Sequence, residues 1–358
     1  MLVLGVMAAT AAVSMWVSNT STTLMMLPVA VSVAALVAPD HEAASGEQRN
    51  FSTAIVLAVA YSATIGGLAT LIGTPTNALA VAFLDQNFGL RPTFAEWMVF
   101  GLPCSLVLLV GAWWVLVAVS HPFRLADVAS AREVVRRELA ALGPMTQPER
   151  RVGTIVAMAA AAWLASPWLK SVPGMGALSD MGIAMLAGLA LFLVPSGTAG
   201  GALLRGEDFR RVPWDTLFLF GGGLALAGLI QDSGLSGNIG RLLEGMAGWP
   251  PLVVTALVVL VVILWTELTS NVASAATFMP ILAALATTMG QPVVDLVVPA
   301  AVAASCAFML PVGTAPNAIV YGSGRVRMRD MVRAGLLVNI LAWAVIIAVA
   351  AVTLPGFG

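Results

Sequence analysis

The chain has 358 residues, 17 basic and 18 acidic, and is 59% apolar against 10% charged. Soluble domains carry about 25% charged and about 45–50% apolar residues, so these proportions exclude a water-soluble fold and describe a polytopic membrane protein. A formal net charge of −1 leaves no basic excess to neutralise a phosphate backbone, which excludes a nucleic-acid partner.

Crossing the hydrocarbon core takes ~20 apolar residues. The first runs, 1–17 and 21–38, are short and separated by a polar Ser-Asn-Thr step; the chain enters the first of them at Met1, with no charged leader and no basic residue before Arg49. Run 53–84 is broken at Gly73-Thr74-Pro75, and run 97–120 is long enough to cross outright. The polar stretch 122–151 follows, its Glu133, Arg136, Arg137 and Glu138 suited to a short helix on the cytoplasmic surface. Runs 152–169, 214–231, 251–269 and 334–353 are full spans by length, 182–195 and 273–289 are shorter, and 295–320 is interrupted at Pro311 and Gly313. Broken runs at membrane depth are tolerated only where they are buried in protein or line a watery cavity, because lipid cannot satisfy freed backbone groups. Cys104 and Cys306 lie inside apolar runs and offer neither a disulfide framework nor metal-ligand spacing, and His41 and His121 fall at span edges with no chemistry assigned.

If 1–38 and 251–289 are re-entrant hairpins and the other runs cross, 14 basic residues fall in inside loops and 3 outside, which satisfies the positive-inside rule. The first hairpin then opens to the cytoplasm, and the second opens to the outside. Full crossings in place of either hairpin would leave the charge count unchanged, so re-entrance rests on the motifs.

Those motifs repeat. Ser14-x-x-x-Ser18-Asn19-Thr20, ending at Pro28, recurs 252 positions later as Thr266-x-x-x-Ser270-Asn271-Val272, ending at Pro280. Gly73-Thr74-Pro75-Thr76-Asn77-Ala78 recurs 240 positions later as Gly313-Thr314-Ala315-Pro316-Asn317-Ala318. Two pairs in the same order, with hairpins opening to opposite sides, define an inverted-topology repeat, in which substrate and ions bind at broken helices near the midplane. Hydroxyls, Asn oxygens and unwound carbonyls are hard ligands for a small cation, and helix N-termini present N–H groups to an anion. No Lys or Arg lies at membrane depth near either motif, so a multiply charged anion there needs its charge offset by bound cations and helix dipoles. Glu267 reads as a helix-end carboxylate bonded to its hairpin, Asn77 and Asn317 as braces of the unwound loops, and Gly66-Gly67 and Gly221-Gly222-Gly223 as close-packing sites.

On these residues the chain resembles the divalent anion:sodium symporter family of sodium-coupled di- and tricarboxylate transporters, over essentially its whole length. The resemblance implies an all-α, elevator-type homodimer in the cell (inner) membrane, not an enzyme, that moves C4-dicarboxylates such as succinate, fumarate or malate with sodium as coupling ion and no cofactor. It places one sodium at Ser14, Ser18, Asn19 and the Gly73 carbonyl, and a second at Thr266, Thr269, Asn271 and the Gly313 carbonyl. Substrate carboxylates meet Ser18, Asn19, Thr20 and Thr74 from one half and Ser270, Asn271 and Thr314 from the other. Val272 and Ala315 depart from the family's hydroxyl and proline, which bears on substrate preference. A cation-independent dicarboxylate exchanger and a transporter of inorganic oxyanions such as sulfate are the alternatives. The expected organisation is 1–120, an incomplete first repeat; 121–151, the cytoplasmic linker; and 152–358, the second repeat. Three spans precede the second hairpin and none precedes the first, so the chain reads as truncated at its N-terminus by about a hundred residues of internal symmetry.

Overall fold

The computed structural model describes residues 1–38, 45–123, 136, 140, 143–169, 179–197, 201–212, 214–235, 238, 245 and 248–354. The expected surface helix in 122–151 lies mostly outside these residues, as does His41. The described chain is helical, with one isolated β-bridge between Pro195 and Ala202. Its helices are α1 (Leu2–Ser14), α2 (Asn19–Val37), α3 (Gly46–Leu68), α4 (Pro75–Phe88), α5 (Phe94–Trp114), α6 (Gln147–Leu169), α7 (Asp180–Leu193), α8 (Trp214–Asp232), α9 (Pro251–Thr266), α10 (Asn271–Met289), α11 (Val294–Ala304), α12 (Ala315–Gly322) and α13 (Met328–Thr353). Among the described residues five helical stretches are long and apolar enough to cross a membrane: 19–37, 46–68, 94–120, 271–289 and 328–353.

Every expected break is present. Residues 15–18 separate α1 from α2, and 267–270 separate α9 from α10; the run 251–269 is therefore a 16-residue helix ending at Thr266 and not an uninterrupted span. The longer breaks are 69–74 and 305–314. Pro75 and Pro316 sit in the first turns that follow them, where a missing N–H costs nothing and a fixed φ favours helix.

Helix α3 is the centre of the molecule. Every residue from Phe51 to Leu68 is buried, as expected of a helix apolar on all faces. Gly66 lets α1 approach so closely that a Cβ there would overlap the Ala11 backbone. Overpacking of this kind costs about 1–3 kcal/mol, so Gly66→Val is expected to lower the melting temperature in detergent by several degrees through separation of α1 from α3. Gly67 and Gly223 are likewise close-packing positions, against Asn19 and Ala276, whereas Gly221 and Gly222 face open space, so the second glycine run is only partly explained by packing.

The regions that follow the two long breaks are interlocked. Helix α4 packs on α10 and α11, and α12 packs on α2 and α3, so each short helix is held by the opposite hairpin and broken helix. Arg325 donates to the Ala38 carbonyl and Ser52, and Asn50 donates to the Pro122 carbonyl, which gathers the mouth of the first hairpin and the arginine-bearing loops at one end. The second hairpin's mouth, Pro292 to Val294, faces Gly89 to Pro92 across a cavity of about 500 Å³. His121, just past the helical stretch 94–120, is buried beside Ser120, and burial pushes its imidazole below the usual range despite Asp330 at 3.9 Å.

Candidate functional site

Two clusters of oxygen atoms form where the helices break. In the first, Ser14 Oγ lies 2.8 Å from Asn19 Oδ1 and 2.6 Å from the Ala63 carbonyl oxygen. One hydroxyl hydrogen serves only one of these acceptors at a time. Asn19 rests against Gly67, which has no side chain to displace it. In the second, Thr266 Oγ1 lies 3.0 Å from the Asn271 side-chain amide and 2.6 Å from the Ala304 carbonyl oxygen. The same end of that amide stands 3.2 Å from the Gly313 carbonyl oxygen and 3.1 Å from that of Ala304. With its nitrogen in this position the amide's two hydrogens have three oxygens within reach, those of Thr266, Ala304 and Gly313. With its oxygen there, four oxygens converge with one hydroxyl hydrogen among them, a set of hard ligands suited to a small cation. The residues have the chemistry to hold a small hard ion.

Ser14 with Asn19 and Thr266 with Asn271 are thus brought together as the sequence predicts. The Ala63 and Ala304 carbonyls were missed, because every residue has a carbonyl and nothing in the sequence marks which one a fold will aim inward. Thr269 is placed elsewhere: its hydroxyl bonds the Trp265 carbonyl and Ser274 Oγ, within its own hairpin. Gly73 packs on the Gly67 backbone so closely that a Cβ would overlap it, and Gly313 packs between Ala307 and Glu267.

Four helix N-termini follow the breaks. Ser18 caps α2 through Ser21 N, and Thr314 caps α12 through Asn317 N at 3.3 Å. Ser270 and Thr74 make no such bond, so the opening N–H groups of α10 and α4 have no side-chain cap and are available to an anion. Ser18, Thr20 and Ser270 are exposed, and Thr74 and Thr314 are buried. Val272, in place of a hydroxyl, is buried.

The unwound loops are braced by their asparagines. Asn77 Nδ2 donates to the Gly67 and Thr70 carbonyls at 3.1 and 2.8 Å. Asn317 Nδ2 repeats this with Ala307 and Leu310, both at 3.1 Å. Glu267, expected to bond its own hairpin, bonds the loop after α11 instead. Its carboxylate accepts from the backbone N–H groups of Phe308, Met309 and Leu310 at 2.8, 2.9 and 3.0 Å, and from Asn339 Nδ2 on α13 at 2.7 Å. The reason is that α11 ends at Ala304 and leaves those N–H groups without helical partners. The position matching Glu267 in the first hairpin is Met15, whose carbonyl accepts from Thr70 Oγ1 at 2.5 Å. An acidic side chain at this step therefore belongs to the second hairpin and has no counterpart in the first.

A multi-pass helical protein with paired oxygen clusters at broken helices has the architecture of a membrane transporter. The family model described as the sodium:sulfate symporter transmembrane region matches residues 1–354. The chain is also 36% identical to the sodium-dependent dicarboxylate transporter SdcS of Staphylococcus saprophyticus subsp. saprophyticus over 362 residues, covering 99% of this chain and 69% of that relative. It is 36% identical, over 359 residues and with the same coverage, to SdcS of Staphylococcus aureus strain USA300. The chain belongs to the divalent anion:sodium symporter family, a family of cell-membrane transporters and not of enzymes, whose sodium-dependent members use sodium as the coupling ion.

Proposed function

We propose that this chain carries C4-dicarboxylates such as succinate, fumarate or malate across the cell membrane together with sodium, by alternating access. The observation that carries this reading is the pair of oxygen clusters, Ser14–Asn19–Ala63 and Thr266–Asn271–Ala304–Gly313, with neither Lys nor Arg among them. A doubly charged anion bound beside neutral groups in a low-dielectric site needs cations bound with it. The coupling is then obligatory. Sodium would be held at these two clusters, with Ser18 and the Gly73 carbonyl contributing to the first; Thr269, whose hydroxyl is engaged by Trp265 and Ser274, is left out of the second. Substrate carboxylates would meet Ser18, Asn19, Thr20 and Thr74 on one side and Ser270, Asn271 and Thr314 on the other, where uncapped helix N-termini supply N–H donors.

The same reading takes 1–120 and 152–358 as inverted repeats around the linker 121–151, with re-entrant hairpins at 1–38 and 251–289. Clustering of the first hairpin's mouth with Arg325, and of the second's with Arg91, supports openings to opposite ends. Movement is of the elevator type within a homodimer.

Purified protein in proteoliposomes is expected to accumulate labelled succinate when sodium is outside, with fumarate competing and sulfate not. Uptake that is equal with and without sodium would assign a cation-independent exchanger, and competition by sulfate alone would assign an oxyanion transporter.

A further inference from the structure

One buried contact is accounted for by neither cluster. Thr76 Oγ1 and Ser305 Oγ are 2.6 Å apart, joining residues separated by 229 positions, and both side chains are fully buried. Thr76 is in the first turn of α4, and its hydroxyl lies 3.4 Å from Thr74 Oγ1 and 3.5 Å from Asn77 Oδ1. Ser305 follows Ala304, whose carbonyl holds Thr266 of the second cluster. The direction of the bond follows from hydrogen placement. A hydrogen given by Thr76 to Ser305 would leave the Ser305 hydrogen with no other acceptor in its contacts. Given by Ser305 to Thr76, it leaves the Thr76 hydrogen free for Asn77 Oδ1 or Thr74 Oγ1, so both are accommodated.

The pair also breaks the internal repeat. The position 240 after Thr76 is Pro316, and the position 240 before Ser305 is Ile65; neither can form such a bond. It is therefore not a packing device that each half needs for its own fold. It ties the helix opening after the first long break to the end of the helix before the second.

We propose that the Thr76–Ser305 hydroxyl pair is a positioning element that couples the two ion sites, so that occupancy of one sets the geometry of the other and sodium binds cooperatively. This rests on the sodium-coupled reading above. When an ion draws the Ala304 carbonyl inward, Ser305 moves with it, and through Thr76 the first turn of α4 and the loop braced by Asn77 follow. Coupling between sites is reciprocal, and a direct hydrogen-bonded link is its simplest carrier.

The test compares wild type with Thr76→Val, Ser305→Ala and the double variant at fixed succinate while sodium is varied. The wild type is expected to respond steeply, with a Hill slope above one. Each single variant is expected to lower the slope toward one and raise half-saturating sodium about fivefold. The double variant is expected to be no worse than either single, and Ser305→Thr, which keeps a hydroxyl, to restore the slope. Sodium-induced stabilisation of the purified protein in detergent reads the same midpoint and steepness without requiring transport. Purely structural glue would reduce protein yield or maximal rate and leave the slope alone. Variants as steep as a steep wild type, or single effects that multiply in the double, overturn this inference alone. A wild type indifferent to sodium overturns the proposed function and this inference with it.

Discussion

Asn271→Ala is expected to raise half-saturating sodium about 100-fold and to leave little uptake at moderate sodium, measured as initial rates in proteoliposomes. The amide stands within 3.2 Å of three oxygens at once, those of Thr266, Ala304 and Gly313. Alanine removes the atom on which they converge, and a polar contact to a charged group is worth about 1.5–3 kcal/mol, with about 1.4 kcal/mol per tenfold. Asn19→Ala is expected to follow in the same direction with a smaller effect, since Ser14 keeps the Ala63 carbonyl as partner and no acidic side chain stands at Met15. Unchanged sodium dependence in both variants, with protein folded and inserted, would remove the clusters from the mechanism.

Glu267→Gln carries the second large effect. Four N–H groups converge on this carboxylate, and it has no hydrogen to give, so every contact is satisfied. A carboxamide keeps the shape but turns an NH2 group toward at least one of these donors. Leaving a buried donor unsatisfied costs about 1–3 kcal/mol, and loss of the charge removes attraction for a neighbouring cation, about 4 kcal/mol for unit charges 4 Å apart at an effective dielectric constant of 20. Glu267→Gln is therefore expected to weaken sodium activation at least tenfold and to lower the melting temperature. Asn339→Ala, which leaves three backbone N–H groups and the charge, should weaken it less. Equal effects from the two would mean that the carboxylate acts only as a brace.

The sequence was most informative where function needs a side chain. The Ser14…Asn19 and Thr266…Asn271 steps, the Gly73 and Gly313 breaks and the bracing asparagines are each a residue type at a fixed spacing, repeated; the structure brings Ser14 to Asn19 and Thr266 to Asn271, and each asparagine to its own loop. It was least informative where the working atom belongs to the backbone or to a distant turn. Thr269 has the right chemistry and spacing for its cluster, yet on the opening turn of the break its hydroxyl reaches Trp265 and Ser274 instead. Glu267 was legible as an acid at membrane depth, but its partners sit 41 to 43 and 72 positions away.

By itself, then, the sequence determined the solvent in which this protein folds, the places where its helices must break and the side chains gathered at each break, because apolar run length, proline and glycine act locally. Only the tertiary structure decided which carbonyls complete the clusters, which N–H groups the Glu267 carboxyl meets, and that Thr76 and Ser305 touch. Those depend on how α4 and α11 pack, and a hydrogen bond between residues far apart in the chain exists only once burial has fixed both ends.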